Sequence, residues 1–253
     1  MTVGFEIEPP YNFAENGQLT GGYPEALKAF FKTVDPNIQM LGVLTEFSAL
    51  IPGLVAKRFD ISGPGMNIRT TRCQIIDFAN PEVQALFVFI TKKGNPMNLH
   101  SFADVAASTA RFGSVTGAAE VEAATAAGIP KDRQVLFPDS TSMVAGLQAN
   151  RIDMFAATSL AATEIIKTTN DPNLELVELS EVPKDANGNR SIGYVAIGFR
   201  KEDKDLREAY NAWQLKAKQS GELLKIMAPF GFAQRDIAPV DQTADKICVS
   251  AGG

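Results

Sequence analysis

Arg72, Glu8, Tyr11 and Phe47 are the side chains whose types and places suit chemistry on a small charged molecule. An arginine just after a strand and a glycine turn can offer a carboxylate two parallel N–H bonds, a geometry that lysine lacks. A solvated arginine on a helix face has the same spacing. Glu8 stands before Pro9, Pro10 and Tyr11 and supplies the opposite charge. Tyr11 and Phe47, each expected at a strand end, suit either stacking on a zwitterion with a delocalised cation or packing in the core. Residues 113–118 read as a strand-to-helix turn, where free N–H groups around Gly117 and Ala118 suit the same carboxylate. Catalysis has less behind it. The one histidine, His100, lies outside these segments, so neither a histidine metal site nor a Ser-His-Asp triad can be assembled in them. There is no complete P-loop and no spaced G-x-G-x-x-G with a basic anchor. No catalytic residue, metal or cofactor is expected.

The elements that must position these residues lie close together in the chain. Over 47–72 a helix (49–57, with Pro52 in its first turn), a strand (58–62), a turn at Gly63-Pro64-Gly65 and a second helix start follow one another with almost no spacer. Before them, alternation of Val3, Phe5 and Ile7 predicts a strand over 2–8, Pro24 opens an amphipathic helix, and 38–44 reads as a second strand. This strand-helix-strand-helix order predicts a parallel sheet with its chemistry at the carboxyl ends of the strands. The apolar run 85–91 reads as a buried strand and a first crossing between two lobes. The alternation then restarts, with strands at 110–115, 134–137, 153–156 and 174–179 and helices at 118–127, 141–149 and 159–167. A loop at 185–189 precedes a return strand at 191–199, helices follow at 204–219 and 221–227, and from 233 the chain reads as a tail. No solenoid-type repeat occurs.

Composition bounds the function from outside. The 253 residues can form two lobes of ordinary size, with 45% hydrophobic and 21% charged residues and apolar runs no longer than a strand. Twenty-nine acidic against 24 basic residues, a net charge of −5, leave no positive excess to neutralise a phosphate backbone, so nucleic acid is not an expected partner. The first residues show neither a basic start nor an apolar segment of a secretory leader. That fits a cytoplasmic protein or one whose leader has been removed.

The order Phe47, Leu50, Lys57, Phe59-Asp60, Gly65-Met66, Arg72 resembles the extracytoplasmic solute-binding proteins of ABC importers, in the group that binds polar amino acids. The run 47–60, Glu8 to Tyr11 and the Arg72-Cys73 pair are most similar to the ectoine- and hydroxyectoine-binding members. The resemblance covers nearly the whole chain. It implies an α/β fold of two lobes, each a mixed sheet flanked by helices, joined by a hinge of two crossings. Lobe 1 is then discontinuous, 1–92 with 195–253, and lobe 2 is 93–194. It also implies a monomer outside the cytoplasm, its leader removed, that captures a small zwitterion between closing lobes and presents it to a membrane permease.

By the same resemblance the acid matching Glu8 pairs with a cyclic amidinium, the arginine matching Arg72 holds the carboxylate, and aromatics matching Tyr11 and Phe47 stack on the ligand. Gly65, Gly117 and Ala118 join them at the ligand. Three positions depart from the pattern. Thr158 stands where typical amino-acid binders carry an ammonium-binding aspartate, Asn67 where ectoine binders carry a third aromatic, and Arg69 where a threonine is usual. Thr158 favours a ligand without a free ammonium, whereas Asn67 favours a more polar one. Cys73 and Cys248, the only cysteines, suit one bridge in an oxidising compartment, two buried thiols being the alternative. A few members of the family have become dehydratases that act on cyclic acids, and the same lobes occur in receptors, so an enzyme and a sensor stand as rival readings.

Overall fold

In the computed structural model, which describes residues 1–183 and 192–250, the chain divides into two units: Met1–Gln84 with Tyr194–Gly253, and Ala85–Gly193. The expected loop at 185–189 and Ser191 lie outside the described residues.

The first unit begins with β1 (Thr2–Phe5), the small hairpin β2 (Phe13–Glu15) and β3 (Gln18–Thr20), and helix α1 (Gly22–Val34). Strand β1 stops three residues short of Glu8, because Glu8 to Asn12 close a turn: the Glu8 carbonyl accepts from the N–H groups of Tyr11 (2.9 Å) and Asn12 (3.1 Å). Then come β4 (Leu41–Leu44), a 3-10 turn (Phe47–Ala49), α2 (Leu50–Val55), β5 (Ile61–Asn67), α3 (Thr70–Cys73), β6 (Asp77–Phe78) and β7 (Val83–Ala85). Helix α2 seats Leu50 and Leu54 in the core, where Phe59 from the following turn joins them. Gly53 and Gly4 make room for the Phe59 ring: a Cβ on either would fall within 2.6 Å of it.

Strand β5 overturns the expected break at Gly63-Pro64-Gly65, which lies inside the strand. β5 pairs with β1 at Ile61 and Ser62 and with β13 at Ser62, Met66 and Asn67, and the β13 register shifts between Ala196 and Gly198, a bulge that spans 63–65. A proline without an N–H is tolerated in such a bulge, where no ladder bond is due. The glycines serve close approach instead. A Cβ at Gly63 would lie 2.1 Å from Val3, and one at Gly65 would lie 2.3 Å from the Tyr23 ring.

The second unit holds β8 (Phe87–Lys92), α4 (Phe102–Ala107), β9 (Phe112–Val115), α5 (Ala119–Ala126), β10 (Gln134–Phe137), α6 (Ser140–Gln148), β11 (Met154–Thr158), α7 (Ser159–Thr169) and β12 (Leu174–Glu178). Its sheet runs β10-β9-β11-β8-β12, parallel across the first three strands and antiparallel at β8. Because β8 is paired on both sides here, the division falls after Gln84 rather than after 92. Phe89, Phe102 and Phe112 form the aromatic centre of this unit's core.

The chain returns through β13 (Gly193–Phe199) and ends with α8 (Lys204–Ser220), α9 (Glu222–Met227) and α10 (Ala244–Ser250). The first unit's sheet is thereby β4-β1-β5-β13-β6, with β7 also on β13; β1, β4 and β5 are parallel, and β13 is antiparallel to β5 and β6. What reads as a tail therefore contains a helix. α10 buries Ala244 in the α2–β5 core, and a disulfide joins Cys248 to Cys73 of α3 with Cα atoms 6.0 Å apart.

Candidate functional site

The end of β5 and the first turn after it hold Arg72 in place. Arg69 is extended and begins α3, so Arg72 lies one turn into a short helix, only 8% exposed. One guanidinium nitrogen donates to the Asn67 carbonyl at 2.7 Å, and the carbon at the fork's centre lies 5.2 Å from the Phe47 ring centroid. A backbone acceptor and an aromatic face thus orient a planar cation, a group whose fork geometry suits a carboxylate. Within the same turn, the Asn67 side-chain oxygen and the Thr70 hydroxyl are buried without a hydrogen bond. Such groups are costly to leave unpaired, and a polar ligand atom is one way to satisfy them. Phe47, Asn67 and Arg72 are therefore one constellation, to which Thr70 adds a hydroxyl that sequence reading did not single out.

Tyr11 is placed differently from a half-open stacking wall. Its ring is 1% exposed, edge-on to Phe232 at 5.5 Å and tilted against Tyr23 at 6.1 Å. Tyr23 connects the two groups. It touches Tyr11 on one side, crowds Gly65 on the other, and donates its hydroxyl to the Val195 carbonyl at 3.1 Å. Burial, with Glu82 next in weight, pushes the Tyr23 phenol well above its ordinary range, so it remains a neutral donor. The sequence signal for Tyr23 was an aromatic directly before the helix-opening Pro24. Glu8 sits half-buried in the turn that precedes Tyr11.

The other predicted residues lie in the second unit. Gly117 takes φ +81°, a left-handed conformation natural to glycine, and Ala118 precedes α5 with its N–H donating to Val115 at 3.0 Å. Thr158 ends β11 opposite Phe87 and begins α7, its hydroxyl accepting from the Ala161 N–H at 3.4 Å. That is the capping role a threonine or aspartate fills equally well. Among the described residues no group of three or more His, Cys, Asp or Glu side chains is arranged to hold a metal ion, and no helix is long and apolar enough to cross a membrane.

The pattern of the bacterial extracellular solute-binding proteins, family 3, matches residues 1–233. The chain is similar to a probable amino-acid ABC transporter periplasmic-binding protein, y4tE, of Sinorhizobium fredii (strain NBRC 101917 / NGR234). The two are 28% identical over 98% of this chain and 82% of that one. Among solved structures it is similar to EhuB in complex with hydroxyectoine, with a TM-score of 0.86 and 31% identity over 98% of this chain and 93% of the other. The ancestral amino-acid-binding protein AncCDT-1, a precursor of cyclohexadienyl dehydratase, shares the fold, with a TM-score of 0.76 and 24% identity over 91% of this chain and 94% of that one.

Proposed function

This chain belongs to family 3 of the bacterial extracellular solute-binding proteins, and from that membership we propose that it captures a small zwitterion of the ectoine or hydroxyectoine type outside the cytoplasm, as a monomer, for an ABC importer. The substrate-binding role comes with the family and its amino-acid-transporter relatives. The solute is our reading. It rests above all on the Arg72 fork, tied to Asn67 and stacked on Phe47, in a chain 31% identical over nearly its full length to a hydroxyectoine-bound protein.

In this reading Arg72 takes the carboxylate, Phe47 covers a flat delocalised cation, Glu8 pairs with its charge, and Tyr11 backs the pocket through Tyr23. Gly65 lets the strand pass close by. Asn67 turns one wall polar, which favours a hydroxylated solute. Thr158 supplies no charge for an ammonium, and the Ala118 N–H is already taken by the Val115 carbonyl. The dehydratase alternative has the fold and one acid, Glu8, behind it, and we do not adopt it.

Calorimetry of the purified protein with hydroxyectoine, ectoine, arginine and cystine tests the reading. Binding of a cyclic solute at least tenfold tighter than either amino acid is expected. Micromolar or tighter binding of an amino acid with no heat from either cyclic solute would overturn it.

A further inference from the structure

Between β6 and β7, residues 80–82 form a strap bound along one face of α8. Asn211 accepts from the Asn80 N–H at 2.8 Å, Gln214 donates to the Asn80 carbonyl at 2.7 Å, and the Lys218 ammonium donates to the Pro81 carbonyl. Positions 211, 214 and 218 are three and four residues apart, so a single stripe of the helix makes all three bonds. The strap is also stitched to its other neighbours: the Glu82 N–H donates to the Val195 carbonyl at 3.0 Å, and the Glu82 carbonyl accepts from Ala238 at 3.0 Å. In the middle of this polar backbone work the Glu82 side chain is wholly buried.

Neither oxygen of that carboxyl has a hydrogen bond of ordinary geometry. The titratable groups set against it are Tyr210 and Lys218 from α8 and Tyr23 from α1, with the Gln214 amide beside them. An acid is a costly choice for such a place. A carboxylate without adequate partners in a dry interior is strongly disfavoured, and the neutral acid far less.

We propose that Glu82 is a proton-operated latch, holding the 80–82 strap against α8 and β13 while its carboxyl is neutral and loosening it when the carboxyl is charged. Burial pushes the Glu82 carboxyl up from 4.5 to about 7, and burial pushes Lys218 down to about 8. The folded protein therefore binds the Glu82 proton more tightly than any opened form in which water reaches the side chain. The latch is fully engaged below pH 4.5 and is lost as pH rises through about 7. The strap leads directly to the passage between Gln84 and Ala85. Its Glu82 bond ends on Val195, the cross-strand partner of Asn67, so loosening is felt one residue from the Arg72 constellation. None of this depends on the identity of the solute.

Two measurements on the intact, ligand-free protein decide it. Carbon-13 NMR titration of the Glu82 carboxyl is expected to show a midpoint above pH 6. Hydrogen exchange at the Ala79, Glu82 and Ala238 amides, corrected for intrinsic rates, is expected to lose roughly tenfold or more of its protection between pH 5.5 and 7.5. Glu82→Gln, neutral at every pH, should hold that protection level. A carboxyl midpoint near the ordinary value, unchanged protection across this range, or the same loss in Glu82→Gln would each overturn the latch. Should Glu82→Gln fail to fold, the titration and the exchange of the unaltered protein decide alone.

Discussion

Arg72 carries the recognition argument, and its surroundings say how it should fail. Because the fork is stacked on Phe47 and bonded to the Asn67 carbonyl, Arg72→Lys keeps a charge but loses the planar, doubly donating geometry. Both Arg72→Lys and Arg72→Ala should weaken the native solute, the alanine by at least about 2 kcal/mol, roughly thirtyfold in Kd by calorimetry. Thr158 provides the complementary test at small structural cost. Aspartate caps a helix as well as threonine does, so Thr158→Asp should leave Tm within about a degree or two while improving amino-acid binding and weakening a cyclic solute. Asn67→Phe removes a buried amide oxygen without a hydrogen bond and presents an aromatic, and should tighten ectoine relative to hydroxyectoine. An unchanged ratio of the two affinities would remove Asn67 from the selectivity argument.

At the scale of elements, β5 is the one the site depends on, since it delivers Gly65, Asn67 and, through α3, Arg72. Its bulge opposite Ile197 and its two tight glycines are a packing solution, in which α1 can approach only because Gly65 has no side chain. Gly65→Ala places a methyl 2.3 Å from the Tyr23 ring and 2.4 Å from Val195. Overpacking of this kind costs about 1–3 kcal/mol, so Tm should fall by roughly 2–10 °C in a scanning-calorimetry comparison. Affinity should drop too, because Tyr23 must shift. A variant with wild-type Tm would mean that β5 and α1 are not packed as described. The glycines of 63–65 are conspicuous in the sequence and predict a strand break, because a glycine-proline-glycine run in a turn and in a bulge look alike until the partner strand is known.

For the molecule as a whole, the Cys73–Cys248 bridge closes a span of 175 residues and pins α10 to α3. In the chain-entropy view a loop of that length stabilises by up to about 5 kcal/mol. Reductant should therefore lower Tm by several degrees or more, and intact-mass analysis of denatured, unreduced protein should show no alkylated thiol. The pH dependence of stability should have two limbs. Arg111, which donates to Asp153 through its side chain and backbone, holds that carboxyl below its ordinary 3.8, so its contribution is present above that value and lost as pH falls below it. Glu82 acts with the opposite sign, and the chain's one histidine, His100, is exposed. Stability should then peak on the acid side of neutral and decline towards pH 7 in thermal melts, a decline that Glu82→Gln abolishes. The amino-acid sequence by itself determined the alternating α/β architecture, most strands and helices, the family, and the residue types of the site, because periodicity, capping residues and turn residues act locally along the chain. Tertiary structure alone decided that β8 belongs to the second unit, that Tyr11 is walled in by Tyr23 and Phe232, that helix α10 lies beyond residue 233, and that Glu82 is sealed under α8. Each of those depends on which distant segment supplies the other half of a ladder or a packed face, and that choice follows from burying the whole chain at once.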